Sequence, residues 1–373
     1  LTREDSRSQD VLMCIQMGKT VDDTNRLKFE TQEFLYENGI KDYVAELAGV
    51  SRGTVDRVLH GRPNVDAVVR EKVLRAAEKL GYSCKKTASA PRHRAAILIP
   101  QWTDTYFNRQ VISGIRRALR YIADDSFELL EVPLRTMTSQ ELVGAIGQQV
   151  ENGVDGLIVR AENTPEVYLA IRQALESGIR VITYDGDIPD SGRACFVGQD
   201  LMRAGAIAAG VMARLIRYSE HVLVVTGNMR MEAHKGRVDG FCSHLCELGF
   251  PSDAYHIIET NEMHSLTEEL VAQAISEDRQ IRAVYMSTQP VSGCIAGLRR
   301  AGVGSGVHVV CNDLTPAAKR YLKEGTVDFV IGQSFWQESF RAVIAMYQLL
   351  ARNITPKETA YYTDLTLVCK EML

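Results

Sequence analysis

Between residues 40 and 81 the apolar positions recur at helical spacing in three short blocks. Residues 41–48 set Val44, Leu47 and Ala48 on one side of a helix, and Gly49-Val50-Ser51 then interrupts the pattern. Gly49 supplies the positive φ of a tight turn, Val50 plugs the angle between two helices, and Ser51 is placed to cap the next one. That next block, residues 52–60, buries Val55, Val58 and Leu59. A third runs from a capping Asp66 to Leu80, with Val69, Val73, Ala77 and Leu80 in register and Gly81 as the stop. Two amphipathic helices across a glycine turn predict a helix-turn-helix, whose second helix normally lies in the major groove of DNA.

From Ala95 the pattern changes. Apolar runs at 95–100, 127–132, 156–161, 180–185, 221–226, 254–259, 283–288, 307–312 and 328–333 read as strands, most of them continuous enough for burial on both faces of a parallel sheet. Amphipathic stretches such as 110–121 and 139–150 separate nearly all of them. The alternation predicts a doubly wound α/β fold, with ligands bound outside the carboxyl ends of the strands. The residues there are Trp102, Asp104, Phe107 and Asn108 after the first strand, then Asp185 and Asp187, Ser287-Thr288, Asp313 and Gln333. Carboxylates and amides beside aromatic rings suit a polyhydroxylated ligand, because each hydroxyl needs a fixed partner and a ring covers the apolar sugar face.

Charge separates the two regions. The chain of 373 residues has a net charge of −4, yet residues 41–94 hold twelve Lys+Arg against six Asp+Glu. A basic module on an acidic body fits a phosphate-binding head on an effector domain. Residues 1–39 lack sustained periodicity and are assigned no function. They read as a disordered arm or as a spurious extension upstream of a start at Met13 or Met17. The eight cysteines are scattered; Cys242 and Cys246 flank His244 at one helical turn, but no second ligand pair at zinc spacing accompanies them. Buried reduced thiols, a cytoplasmic setting, no metal and no cofactor are expected. No run is long and apolar enough to predict a membrane span. There is no GxSxG elbow, Walker motif or GxGxxG after a strand, so no enzyme is predicted.

The run Ala48 to Ser51, Thr54-Val55, Arg57-Val58-Leu59, Gly61, Pro63-Asn64-Val65 and Leu80-Gly81-Tyr82 resembles the DNA-binding headpiece of the LacI/GalR family of bacterial transcriptional regulators. Residues 95–373 resemble that family's type I periplasmic-binding-protein-like effector domain, especially its ribose-binding-like branch. The resemblance implies an all-α headpiece at 40–82, a linker at 83–94 and a two-lobed α/β domain at 95–373. Its first lobe would cover about 95–196 and 334–353, and its second about 197–333 and 360–373. It implies a homodimer on a near-palindromic double-stranded operator, contacted by Ser51, Arg52, Gly53, Thr54, Asp56, Arg57 and His60, with Lys85 and Lys86 in the linker. Operator affinity would be set by a small-molecule effector of the sugar class, held by Trp102, Asp104, Phe107, Asn108, Asp185, Asp187, Lys235, Ser287, Asp313 and Gln333. Tyr106 and Asn108 compete with Phe107 for the stacking position. The alternative is the solute-binding component of a sugar transporter, which shares the effector fold but has no headpiece.

Four departures from the family pattern stand out. Lys235 falls where a ligand-binding arginine usually sits, with Arg237 matching a second arginine. Ser287-Thr288 replaces Asn-Asp. Asp56 stands where serine usually faces the DNA backbone, and is expected to pair with Arg52 or Arg57 if it faces solvent. The linker, SCKKTASAPRHR, lacks the leucine that usually wedges open the central base step. Its basic residues predict little central kinking, A·T-rich operator centres and strong salt dependence.

Overall fold

A computed structural model describes residues 40–59, 65–79, 93–101, 106–303 and 306–373. His60, Lys85, Lys86, Trp102 and Asp104 lie outside these residues, as do the extension at 1–39 and all but the last two positions of the linker. The chain divides into two compact units, Leu1–Ala90 and Pro91–Leu373.

In the first unit, helices α1 (Ile40–Ala48), α2 (Arg52–Leu59) and α3 (Ala67–Lys79) share a core of Val44, Ala45, Val55, Val58, Val73, Ala76 and Ala77. The turn after α1 closes as its residues dictate. Gly49 takes φ 65° and the Val50 N–H donates to the Ala45 carbonyl at 2.9 Å. Ser51 Oγ accepts the Thr54 N–H at 3.2 Å, and Asp66 Oδ1 accepts those of Val68 and Val69 at 2.9 and 3.2 Å. Both expected caps are therefore made. Leu47 is not in the core but 45% exposed. One residue before Ala48 on a 100° helical period, it turns away from the face that Val44, Ala45 and Ala48 share.

The second unit has two parallel-sheet lobes. The first sheet has the order β11-β5-β4-β3-β1-β2, with β1 His93–Pro100, β2 Phe127–Leu134, β3 Gly156–Val159, β4 Arg180–Tyr184, β5 Cys195–Gly198 and β11 Ala360–Tyr362. The second has the order β12-β10-β9-β8-β6-β7, with β6 His221–Thr226, β7 Tyr255–Glu259, β8 Ile281–Met286, β9 His308–Asn312, β10 Phe329–Gly332 and β12 Thr366–Val368. Every pairing is parallel except that of β12 with β10. Helices α4 (Tyr106–Ile122), α5 (Ser139–Glu151) and α6 (Pro165–Glu176) connect the first four strands. In the second lobe α7 (Leu201–Leu215), α8 (Glu232–Glu247), α9 (His264–Glu277), α10 (Val291–Arg300) and α11 (Pro316–Glu324) do the same. The doubly wound class read from the pattern is the one observed.

The chain passes between lobes three times, after β5, after β10 and after β11. After β10 it enters α12 (Phe335–Ala351), which packs on the first sheet. Residues 360–362 pair with β5 and so belong to the first lobe, correcting their expected place in the second. Three strands carried too little pattern to be read: β5 has four residues, and β11 and β12 have three each. Among the described residues no helix is long and apolar enough to cross a membrane. Cys195, Cys294 and Cys311 are buried free thiols, and burial pushes the Cys195 thiol up to about 12. Cys246 is exposed and Cys242 half-buried, contrary to expectation, because they lie on the outer side of α8.

Candidate functional site

The strand ends of the two lobes face each other, and their polar side chains form one connected set. At the end of β4 Asp185 takes φ 58°, and at the end of β9 Asp313 takes φ 68°. Asp185 accepts a short hydrogen bond from Arg160 Nε and another, at 3.0 Å, from Gln333 Nε2. Arg160 follows β3, and its guanidinium lies 5.2 Å from the centre of the Phe107 ring. Phe107 meets Phe335 edge-to-face at 4.7 Å, and Tyr106 meets the same ring at 6.5 Å. Burial and the negative charge of Asp313 both raise the pKa of the Tyr106 phenol, so a first-lobe ring senses a second-lobe carboxylate. Asn108 is half-buried in the same first turn of α4.

Arg237 on α8 is the hub of the second lobe. It is 5% exposed and donates from Nε to Gln199 Oε1 (2.9 Å), from Nη1 to the Ser287 carbonyl (3.0 Å) and from Nη2 to Gln333 Oε1 (2.6 Å). Nη2 also lies 3.5 Å from Asp313 Oδ1, an oxygen without a hydrogen-bond donor. Burial raises the Asp313 carboxyl above its ordinary range; Arg237 opposes this, while Asp185 and Glu262 add to it. Gln333 Nε2 also donates to Glu338 Oε1 at 2.9 Å, and Thr363 Oγ1 reaches the same oxygen at 3.4 Å. Gln199, Gln333 and Thr363 lie at the first, second and third crossings, so one polar chain ties all three together.

A second cluster lies behind it. Thr288 Oγ1 donates a short hydrogen bond to Glu262 and lies 3.1 Å from His234 Nε2, while His234 Nδ1 accepts the Asn228 N–H at 3.0 Å. Burial works against the Glu262 carboxylate, but hydrogen bonds from His234 and Thr288 and the charge of Arg160 across the cleft hold its pKa below the usual range.

Three expected ligand groups are placed elsewhere. Lys235 is exposed and pairs with Asp239 one turn along α8. Residues two apart on a helix point about 200° apart, so only one of 235 and 237 faces the cleft, and it is Arg237. Asp187 is consumed by Thr183 Oγ1 (2.6 Å), the Ile188 N–H (2.8 Å) and the fork of Arg193, bracing the loop after β4. The Ser287 hydroxyl is fully buried and donates to the Val225 carbonyl at 3.2 Å; its own carbonyl serves Arg237. Asp185, Asp313 and Gln333 are brought together, with Phe107 against Arg160 at the cleft wall. Arg160, Glu262 and Glu338 were not foreseen. The first two follow strand ends, and the strand-end rule extended to β3 and β7 finds them; buried Glu338, inside the first turn of α12, has no such signal.

Residues 95–353 match the model of a periplasmic binding protein domain, and residues 39–84 match that of bacterial regulatory proteins of the lacI family. The chain belongs to the lacI family. It is a DNA-binding transcriptional regulator carrying a periplasmic-binding-protein-like domain. Catabolite control protein A of Priestia megaterium is 26% identical over 73% of this chain and 79% of its own length. The maltose regulon regulatory protein MalI of Escherichia coli (strain K12) is 26% identical over 70% of this chain and 76% of its own. In fold, the chain is similar to GanP, a glucose-galactose binding protein from Geobacillus stearothermophilus, with a TM-score of 0.67 at 20% identity over 76% of this chain and 99% of that one. The lacI-type headpiece favours the regulator over the transport alternative.

Proposed function

We propose that this lacI-family regulator binds an uncharged polyhydroxylated effector, a sugar or polyol, between its two lobes, and that the effector sets operator affinity. The observation that carries this reading is the buried Asp313 Oδ1, which has no hydrogen-bond donor in a cleft rich in carboxylates. Asp185, Glu262, Asp313 and Glu338 outnumber the guanidiniums Arg160 and Arg237, and both arginines are already engaged, Arg160 by Asp185 and Arg237 by Gln199, the Ser287 carbonyl and Gln333. A hydroxyl can donate to such an oxygen, whereas a carboxylate or phosphate would add repulsion. Phe107, half-buried at the cleft wall, offers a face for the apolar side of a sugar ring. The sugars named for MalI and GanP point the same way. Among the expected contacts, Asp185, Asp313, Gln333, Phe107 and Asn108 are retained for the effector, and Arg160 and Glu262 join them.

The protein acts as a homodimer on a near-palindromic operator, without a catalytic step or a cofactor. Ser51, Arg52, Gly53 and Arg57, all exposed on or beside α2, with half-buried Thr54, face the major groove. A thermal-shift screen against hexoses, pentoses and polyols, with uronates and sugar phosphates as counter-probes, tests the effector class. Neutral compounds are expected to raise Tm and the anionic ones to leave it unchanged. Asp313→Ala is expected to weaken the best compound by on the order of 1.5–3 kcal/mol, the scale of a charge-assisted hydrogen bond. Calorimetry giving the same affinity for wild type and variant removes Asp313 from the site.

A further inference from the structure

Far from the cleft, three side chains converge at the amino-terminal end of the second sheet. His221 opens β6, His256 is the second residue of the neighbouring β7, and Asp278 caps the carboxyl end of α9. His221 Nδ1 lies 2.5 Å and His256 Nε2 lies 3.1 Å from the same oxygen, Asp278 Oδ2. One ligand atom from each residue falls within 4.8 Å of the others.

The local backbone aims them. His256 pairs with Leu223, two residues after His221, so both imidazoles stand on one face of the sheet. The one register slip beside His221 places its extra residue, Arg282, on β8, so β6 keeps its alternation through His221 and Leu223. The other carboxylate oxygen, Asp278 Oδ1, accepts the Gln280 N–H at 2.8 Å, which fixes the carboxylate and turns Oδ2 toward the rings. A backbone partner of this kind is what orients ligands around bound metals.

We propose that His221, His256 and Asp278 form a binding site for a divalent transition metal ion of the zinc class. Two imidazoles and one carboxylate suit zinc, cobalt or nickel; calcium and magnesium prefer all-oxygen sets. Ligand atoms around a tetrahedral zinc with bonds of about 2.0–2.1 Å stand roughly 3.3 Å apart, so small shifts admit the ion. Without metal, each imidazole donates an N–H to Oδ2. On metal entry His221 moves its proton to Nε2 and His256 moves its proton to Nδ1, which frees both lone pairs with no net proton release. Three protein ligands leave a position for water, and His256 is exposed. The bound ion would staple edge strand β7 to β6 and to the turn after α9.

The full-length protein, stripped with chelator, is titrated with ZnCl2 by calorimetry and with CoCl2 by visible absorption. One saturable ion per chain is expected, with a cobalt d–d band and no thiolate charge-transfer band. His256→Ala and Asp278→Asn, checked for folding by circular dichroism, are each expected to weaken binding at least tenfold. Cys242→Ser/Cys246→Ser is expected to leave it intact. The proposal is overturned by an absence of saturable binding, by unchanged binding in both ligand variants, or by loss of binding in the thiol variant alone.

Discussion

Glu338 shows how much a single residue of the cleft gives up for its position. It is fully buried, its Oε2 has no hydrogen-bond partner, and burial followed by the charge of Asp185 raises its pKa well above the ordinary carboxylate value. The sign of the linkage follows from that direction. Below the unfolded-state pKa the group is protonated in both states and costs nothing. As pH rises from there through the raised folded value, the unfolded chain ionises first and native stability falls. Glu338→Gln retains an acceptor for Gln333 and Thr363 and cannot ionise. Its Tm is therefore expected to match that of wild type near pH 4 and to exceed it increasingly at higher pH. Thermal unfolding across that range checks this, and a constant difference at every pH would remove ionisation as the cause. Its contacts join the second crossing, through Gln333, to the third, through Thr363, at a cost in stability once the carboxyl ionises.

At the scale of elements, contacts between helices were the least legible feature. The strand pattern located nine of the twelve strands among the described residues, because a run of buried apolar residues is visible in one dimension. Nothing in it showed that α4 and α12 approach so closely that a Cβ on Gly114 would lie 2.1 Å from Ser339 Oγ and from the Trp336 carbonyl. Partners separated by more than two hundred residues leave no local periodicity. Gly114→Ala must move backbone, so a loss of about 1–3 kcal/mol is expected in urea unfolding of the wild-type and variant chains. The site was legible to the same degree. Asp185, Asp313 and Gln333 follow from the strand-end rule, whereas choosing Arg237 over Lys235 needed the helix phase of α8. In the headpiece, Asp56 of α2 pairs neither with Arg52 nor with Arg57 but with Lys41 of α1, at 2.5 Å. Arg52 instead bonds Asp42 at 3.1 Å. The half-exposed Lys41–Asp56 pair is worth at most about 1 kcal/mol to folding, so Asp56→Ser is expected to fold. It also frees the Lys41 ammonium for phosphate. Fluorescence anisotropy should show tighter binding to random DNA and a smaller preference for operator; weaker binding to random DNA would count against the pair as a screen.

Across the whole effector domain, the crossings are where lobe movement must be absorbed, and here they are not independent strands of backbone. Arg237 holds Gln199 of the first crossing and Gln333 of the second, Gln333 holds Glu338, and Glu338 meets Thr363 of the third. A ligand changes operator affinity only through its different affinity for two arrangements of the molecule. A chain of hydrogen bonds that joins all three crossings, reaches Asp185 through Gln333 and pairs with Asp313 through the charge of Arg237 gives the proposed effector a direct hold on that arrangement. Arg237→Lys separates charge from connection. The ammonium still offsets the buried carboxylates, but it cannot fork to Gln199 and Gln333 together. The expected result is a smaller effect of effector on operator Kd, by roughly 0.5–2 kcal/mol, the range of mutations that alter coupling between sites. Operator titrations with and without a saturating effector from the neutral-sugar screen give the ratio directly. If both Kd values shift by the same factor and the ratio is unchanged, the arginine serves packing or affinity alone, and the crossings move without it.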